Sequence, residues 1–164
     1  MSRIALIAIT AVLVAGASAV ADAASRSIKL KSESATGMST NVLAAPNGRT
    51  LYRLKPETAR HVLCGTDCLQ FWPALTVKSK TTKVKLPEGI KGKIGYLKRG
   101  KRWQVTLGGK PLYTYSGDSA AHQVNGQNIK TFGGTWLSFP VKSSTTQQAP
   151  PPMTSPPPPA YPPY

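Results

Sequence analysis

The stretch WQVTLGGKPLYTY (residues 103–115) decides the fold, because two alternating apolar runs flank a Gly-Gly pair at residues 108–109. Tight two-residue turns between antiparallel strands require positive φ angles, which glycine adopts without steric cost. Apolar residues that alternate with a period of two are typical of a strand with one buried face. We therefore predict a β-hairpin centred on this pair.

Pairing outward from the turn sets the register of the hairpin. Val105 lies opposite Leu112, and Trp103 lies opposite Thr114. Because side chains alternate between the two faces of a sheet, one face should be buried and the other should not. The face expected to be buried carries Trp103, Val105, Leu107 and Leu112. The other face carries Gln104, Thr106, Tyr113 and Tyr115.

This hairpin belongs to one of two copies of a repeated unit. An offset of 61 residues places Gly48, Leu51, Tyr52, His61 and Gly65 on Gly109, Leu112, Tyr113, His122 and Gly126. An offset of 64 then pairs Trp72 and Val77 with Trp136 and Val141. The first copy has its own turn, Asn47-Gly48, between short apolar runs at residues 42–44 and 50–52. The growth of the offset implies a three-residue insertion in the second copy.

A closing strand is predicted at the end of each copy, at residues 69–77 and 135–141. Pro73 and Pro140 place these strands at edges or bulges, since proline cannot donate to a ladder. Helix content should be low, because sustained 3.6-residue apolar periodicity is missing after the N-terminal segment. The sequence therefore predicts a mainly β fold. We expect a small antiparallel sheet, a sandwich or a partial barrel, built from two related hairpin-plus-strand repeats.

The N-terminal segment has the layout of a cleavable secretory signal. A basic start at residues 1–3 is followed by an apolar run at 4–14 and by small residues at 15–24. An uncleaved anchor helix is the alternative, but an anchor would be rich in leucine where this segment is rich in small residues. We expect export to the periplasm or the exterior, with no membrane span once the signal is removed.

The C-terminal segment is dominated by proline. Nine of the fifteen prolines follow Lys142, and no charged side chain does. We expect this tail to be disordered with polyproline-II character, because it cannot bury a core. A plain spacer is favoured over a docking segment for an aromatic groove.

The sequence as a whole divides into four parts. These are a signal peptide (1–24), a polar spacer (25–39), a two-repeat domain (40–141) and the tail (142–164). Within the two-repeat domain, repeat one covers 40–77, a basic linker covers 78–101 and repeat two covers 102–141.

The charge balance points to anionic partners. Twenty-one Lys and Arg against six Asp and Glu give a net charge of +15, and Glu88 is the sole acid among ten basic residues between Lys78 and Arg102. Such a field attracts polyanions, among which we expect an anionic envelope polymer or polysaccharide and do not expect nucleic acid in vivo. A basic surface that only maintains solubility is the alternative. The predicted polyanion-binding residues are Lys78, Lys80, Lys83, Lys85, Lys91, Lys93, Lys98, Arg99, Lys101 and Arg102.

The two cysteines, Cys64 and Cys68, enclose three residues. An isolated pair this close in an oxidising compartment predicts a disulfide that fixes a turn. A thiol oxidoreductase is the alternative, but the spacing is C-x-x-x-C and no helix start is expected to lower a thiol pKa.

His61 and His122 occupy equivalent positions, which raises the possibility of a metal site with nearby acids such as Asp67 or Asp118. The sequence contains no recognised metal-binding, phosphate-binding or hydrolase motif. We therefore predict no metal, no cofactor and no catalytic residue.

Tyrosines next to basic residues offer a surface for stacking sugars or bases. Tyr96 precedes two basic residues, and Tyr113 and Tyr115 follow Lys110. Cross-strand aromatic packing explains the same residues and is favoured over ligand stacking.

The stretch GKPLYTYSGD at residues 109–118 resembles a family of secreted repeats, the predicted lipoproteins with a Yx(FWY)xxD motif. Tyr113, Tyr115 and Asp118 match the three defining positions of that motif. A tryptophan after Gly-Thr, Trp136, completes the likeness in the second copy. The resemblance implies the fold and export, and the family carries no established activity.

The first copy resembles the same family less closely. Tyr52 and Trp72 match, and the C-x-x-x-C before Trp72 is typical of the family. Leu54 and Glu57 stand where the motif has an aromatic residue and Asp, so the first copy is degenerate. The lipid-attachment cysteine of a lipoprotein is missing. In the second copy we expect Asp118 to cap a turn by accepting backbone N–H groups.

The sequence as a whole favours an exported, non-catalytic binding or structural module with a basic surface suited to anionic polymers. The alternative is a periplasmic redox or metal-dependent accessory protein or enzyme that uses Cys64, Cys68, His61 and His122.

Overall fold

The computed structural model describes residues 27–142, so the predicted signal peptide and all but the first residue of the predicted tail lie outside the described residues. The described chain is mainly β, as predicted. Its strands are β1 (Ile28–Lys29), β2 (Lys31–Glu33), β3 (Val42–Ala44), β4 (Tyr52–Lys55), β5 (Thr76–Val77), β6 (Val84–Lys85), β7 (Ile94–Arg99), β8 (Arg102–Leu107), β9 (Lys110–Pro111), β10 (Lys130–Thr131) and β11 (Gly134–Ser138), with one helix, α1 (Thr66–Phe71), between β4 and β5.

The Gly-Gly hairpin forms as predicted near its turn. Leu107 pairs with Lys110 across the turn, and the Leu112 N–H donates to the Val105 carbonyl over 3.0 Å. Both turn glycines have positive φ angles, which is what a two-residue turn requires. The apolar face of this hairpin lies in the core.

The expected pairing of Trp103 with Thr114 is wrong. Trp103 instead lies between Val77 of β5 and Lys98 of β7. The chain after Leu112 leaves the hairpin because Tyr113 pairs with Tyr52 of the other copy. The vacated edge of β8 is taken by β5, so the second strand of the hairpin is shorter than the alternation suggests.

Each copy extends its closing strand onto the hairpin of the other copy. In the first copy, β5 pairs with β8, and Thr76 lies opposite Gln104. In the second copy, β11 pairs with β4, and Trp136 lies opposite Leu54. The chain after β11 continues along β3, where the Val141 N–H donates to Asn41. The two copies therefore form one interlocked body instead of two adjacent modules.

The closing strand predicted at residues 69–77 is wrong over its first half. Helix α1 (Thr66–Phe71) occupies that part, and only Thr76–Val77 forms the strand β5. The Leu69 N–H donates to Gly65 and the Trp72 N–H to Cys68, which closes the helical turns. A helix start therefore lies between the two cysteines, contrary to the expectation from sequence. The second closing strand, predicted at residues 135–141, forms at Gly134–Ser138, and Pro140 adds an isolated bridge to Val42.

The fold also extends beyond the predicted repeat boundaries. The expected spacer at 25–39 contains β1 and β2, and Leu30 and Ala35 within it are buried. The expected linker at 78–101 contains β7, which pairs along its whole length with β8. A two-residue turn at Gly100-Lys101 joins these two strands.

The core consists of two clusters, one on each side of the hairpin strands. The first contains Leu51, Leu112, Val77 and Val141, so both copies contribute equivalent residues. The second is rich in aromatic residues and holds both cysteines. No helix within residues 27–142 is long and apolar enough to cross a membrane.

Candidate functional site

The two repeat tyrosines meet at the centre of the molecule. Tyr52 and Tyr113 are fully buried, and their backbones exchange two hydrogen bonds of 2.8 and 3.0 Å. They stand at equivalent positions of the two copies, so this pairing joins each copy to the other through the same residue. Tyr113 was expected on an exposed face, and that expectation is wrong because the second core cluster covers this face.

The hydroxyl groups of these tyrosines bind carboxylates of the opposite copy. The Tyr52 hydroxyl donates to Asp118 Oδ2 over 2.7 Å, and the Tyr113 hydroxyl donates to Glu57 Oε1 over 3.0 Å. Glu57 occupies in the first copy the position of Asp118 in the second. The first copy thus departs from the motif in residue type and retains its geometry.

Both carboxylates also accept backbone hydrogen bonds from the loop that follows them in the chain. Asp118 Oδ1 accepts the Asn125 N–H over 2.9 Å. Glu57 Oε1 accepts the N–H groups of Leu63 and Cys64 over 2.9 and 3.0 Å. Asp118 is predicted to accept backbone N–H groups, and the structure shows one such bond, from Asn125. These bonds connect the buried tyrosines to the surface loops of both copies.

Burial changes the protonation equilibria of this cluster. It raises the pKa of Tyr52 and of Tyr113 far above the ordinary tyrosine range, with further contributions from the neighbouring carboxylates. Burial also raises the pKa of Asp118, and the hydrogen bonds from Tyr52 and Asn125 oppose that rise. Both hydroxyl groups therefore remain protonated donors throughout the physiological pH range.

Arg99 is part of this buried network and is not a free surface cation. Its guanidinium donates to the Tyr113 hydroxyl over 3.0 Å, to the Cys64 carbonyl over 3.0 Å and to Gln104 Oε1 over 2.8 Å. Gln104 in turn donates to the Leu112 carbonyl. Among the ten predicted polyanion-binding residues, Arg99 is the one that is partly buried, and the other nine are exposed.

An aromatic stack runs from the core to the surface beside these tyrosines. The ring centroids of Trp72 and Trp136 lie 3.7 Å apart with nearly parallel planes. Tyr115 stacks on the other face of Trp72 at 4.3 Å. The two tryptophans stand at equivalent repeat positions, so the stack joins the copies as the tyrosines do.

The stack ends at an exposed aromatic face, which we define by the residues that line it. These are Phe71, Trp72, Tyr115, Ile129, Thr131 and Phe132. They line an open surface pocket of about 240 Å³. The sequence analysis does not identify this face, because it predicts Phe71 in the closing strand at residues 69–77 and makes no prediction for Phe132.

Nine of the ten predicted polyanion-binding residues have exposed side chains. Lys98 and Lys80 place their ammonium groups 4.5 and 5.8 Å from the ring centroid of Trp103. Arg102 donates to the hydroxyl and the carbonyl of Thr76. Ion pairs within residues 27–142 are confined to Glu33, which contacts Lys31 and His122, so none of these nine cations is neutralised there.

The structure places Lys29 and Lys31, which lie in the predicted spacer, next to Lys85 of the predicted polyanion-binding set. Strand β1 pairs with β6 in parallel, and Lys29 lies directly opposite Lys85. Lys31 follows on β2, and Lys83 precedes β6. We name Lys29, Lys31, Lys83 and Lys85 the basic edge. Like charges placed opposite each other in a sheet repel, so the basic edge concentrates unpaired positive charge at Lys29 and Lys85.

The cysteines and histidines have separate environments. Cys64 and Cys68 form the predicted disulfide and are buried in the second core cluster. The ring of His122 contacts the Ser34 carbonyl at 2.9 Å, while His61 is exposed and pairs through its backbone with Thr58. Within the part of the chain that the structure describes, no group of three or more His, Cys, Asp or Glu side chains is arranged to hold a metal ion.

Comparison with known families identifies the second copy. Residues 99–141 match a secreted repeat of unknown function. The match begins at the end of β7 and includes Tyr113, Asp118 and Trp136, so the resemblance based on the motif is confirmed for this stretch. No curated protein and no solved structure matches the chain. In the matched repeat, the motif residues Tyr113 and Asp118 are buried in the contact between the copies.

Proposed function

We propose that this protein is an exported, non-catalytic binding module whose basic edge and neighbouring lysines contact an anionic polymer of the cell envelope or the exterior, such as an acidic polysaccharide. The observation that carries the proposal is the register of β1 and β6, which places Lys29 opposite Lys85. A polyanion that bridges these ammonium groups replaces their repulsion with two favourable contacts.

The burial of the motif residues supports a role for the basic surface. Tyr52, Tyr113, Glu57 and Asp118 bond to one another and are nearly inaccessible to solvent. Their side chains therefore hold the two copies together and leave recognition to exposed groups. The match to a secreted repeat supports export, and we propose the periplasm or the exterior as the compartment.

The state of the cysteines supports a non-enzymatic role. Both sulfur atoms lie in a disulfide that packs in the core beside Trp72, and Cys64 is fully buried. Thiol catalysis requires an accessible, low-pKa thiolate. We therefore favour the binding module over the redox accessory protein.

A salt titration with paired variants tests this proposal. Polyanion binding weakens as salt rises, because neutralised phosphates or sulfates release their counterions. For a heparin-like probe, we expect Lys29→Gln combined with Lys85→Gln to weaken binding at low salt. The slope of log affinity against log salt should fall by about 1.5, which is the loss expected for two cation contacts.

The matched control removes the same charge from another sheet. Lys55 and Lys130 are exposed and both flank Thr135 of β11, away from the basic edge. Lys55→Gln with Lys130→Gln should leave the slope nearly unchanged. Equal slopes for the two double variants would contradict a specific basic edge, and salt-independent binding would contradict the proposal as a whole.

A further inference from the structure

We propose that the aromatic face binds the chain's own proline-rich segment, residues 150–163, as a polyproline-II ligand. This inference is independent of the anionic polymer, since it concerns a different surface and an uncharged occupant.

The aromatic face presents two phenylalanine rings that the core does not use. Phe71 is 53% exposed and Phe132 is 36% exposed, and their ring centroids lie 6.3 Å apart. Tyr115 and Trp72, stacked at 4.3 Å, line the pocket between the same residues. Grooves walled by aromatic rings are the usual receptors of polyproline-II segments, because proline rings pack flat on aromatic faces.

Phe132 occupies a backbone position that disfavours a large side chain. Phe132 and Gly133 form the two-residue turn between β10 and β11, with φ angles of 53° and 78°. Turns of this kind prefer asparagine or glycine at both positions, and a bulky residue with positive φ is an outlier. Neither the turn nor the core explains a phenylalanine here, whereas a ligand that packs on its ring does.

The sequence beyond Lys142 has the composition that such a receptor selects. Nine prolines lie between residues 150 and 163, in runs of three, four and two. No acidic or basic side chain follows Lys142, so the segment has no charge that would direct it to the basic edge. Polyproline-II segments lose little entropy on binding, because their free conformation already resembles the bound one.

The segment can reach the aromatic face within the same chain. Ten residues separate Phe132 from Lys142, so the two lie at most about 35 Å apart. The run Pro156–Pro159 begins 14 residues after Lys142, which spans about 43 Å as a polyproline-II helix. The tether is therefore long enough to place this run on the aromatic face, and intramolecular docking benefits from a high effective concentration.

A spin label in the tail of the full chain tests the docking directly. We propose a nitroxide on Ser155→Cys, which lies beside the four-proline run, with the native cysteines left in their disulfide. Amide signals of Phe71, Tyr115 and residues 129–133 should broaden several-fold more than in a matched chain with Pro156–Pro159 replaced by serine. Equal broadening in the two chains would overturn the proposal.

Two variants of the aromatic face sharpen the test. Phe132→Asn removes the ring and installs a residue that the turn prefers, so it should abolish the extra broadening and raise the melting temperature. Phe71→Ser should reduce the broadening with little change in melting temperature, whereas Val62→Ser, at an exposed apolar residue outside the aromatic face, should change neither. A lower melting temperature for Phe132→Asn would show that its ring serves the fold and would overturn the assignment.

A mixture of isotope-labelled and unlabelled chains shows whether the docked tail belongs to the same chain or to a second copy. In a mixture of isotope-labelled chains without the nitroxide and unlabelled chains that carry it, we expect no broadening of the aromatic face. Broadening that appears in this mixture would overturn intramolecular docking in favour of a second copy of the chain.

Discussion

The equivalent tyrosines of the two copies form hydrogen bonds with different groups. Around Tyr52, the partner is Asp118, and the hydroxyl also accepts the Gly126 N–H over 3.2 Å. Around Tyr113, the partner is Glu57, and the hydroxyl accepts from the Arg99 guanidinium. The donor to the tyrosine hydroxyl is thus a backbone N–H at Tyr52 and a charged side chain at Tyr113. The interlocked geometry, and not the residue type, is what the duplication retains.

The loops after the two carboxylates differ more than the carboxylates do. In the first copy, the disulfide and helix α1 (Thr66–Phe71) close the loop. In the second copy, the equivalent segment runs through turns and is held by hydrogen bonds, such as the one from Ser138 N–H to Gln127 Oε1. We infer that covalent closure in one copy and hydrogen bonding in the other are alternative ways to present the same core residues.

The largest effect is expected from the tryptophan stack that both copies share. Trp72→Ala and Trp136→Ala should each lower the free energy of unfolding by about 3–5 kcal/mol, because both rings are fully buried. Since the rings touch each other, the double variant should cost less than the sum of the single variants. Urea unfolding of the three variants measures this coupling.

Trp103→Ala is the control for that experiment, since Trp103 is only partly buried and lies outside the stack. Its cost should be smaller and should add to that of Trp72→Ala. Additive costs for Trp72 and Trp136 would contradict a single shared stack.

The equivalent glycines of the two loops should respond differently to the same substitution. A Cβ on Gly126 would lie 2.8 Å from Trp72 and 2.9 Å from Tyr52, whereas a Cβ on Gly65 meets nothing within 4 Å. We expect Gly126→Ala to cost about 3 kcal/mol by overpacking, and Gly65→Ala to cost less than about 1 kcal/mol as a helix N-cap. Similar unfolding midpoints for the two variants would contradict the tight packing of the second loop.

The local parts of this architecture follow from the sequence. The register next to the Gly-Gly turn is set by turn chemistry, which acts over a few residues. The disulfide follows from the close spacing of two cysteines in a chain that is predicted to be exported. The low helix content follows from the missing 3.6-residue period. Each of these predictions depends on neighbouring residues alone, and each is confirmed.

The strand pairs and hydrogen bonds between the two copies could not be predicted from the sequence, because they join residues far apart in the chain. The bond from Tyr52 to Asp118 spans 66 residues. Strands β1 and β2 are too short to show alternation, and helix α1 has six residues, fewer than two turns. Arg99 lies in a basic run, so only its buried partners distinguish it from the surface lysines.

Reduction of the disulfide should affect the loop of the first copy most strongly. Closing so short a loop contributes about 2 kcal/mol in the chain-entropy model. We expect urea unfolding with reductant to show a loss of this size. Hydrogen exchange should accelerate more at the amides of Leu63 and Cys64, which donate to Glu57, than at the amide of Asn125, which donates to Asp118. Equal acceleration in both loops would contradict independent closure of the two copies.

The smallest expected effect is a pH dependence that belongs to the second copy. Burial raises the pKa of Asp118, so the folded chain retains this proton to a higher pH than the unfolded chain does. Between the two pKa values the folded state binds more protons, and the free energy of unfolding therefore falls as pH rises through that interval. The favourable contribution is fully present below the unfolded pKa, near pH 4. Asp118→Asn removes this titration.

The difference in unfolding free energy between the native chain and Asp118→Asn should consequently decrease as pH rises from about 4, and should become constant once Asp118 is ionised in both states. Urea unfolding of both chains at a series of pH values measures it. Tyr52 stays protonated over this range, so the titration belongs to Asp118 and not to its tyrosine partner. A difference that instead increases with pH would show that the hydrogen bonds from Tyr52 and Asn125 outweigh the burial of the carboxylate.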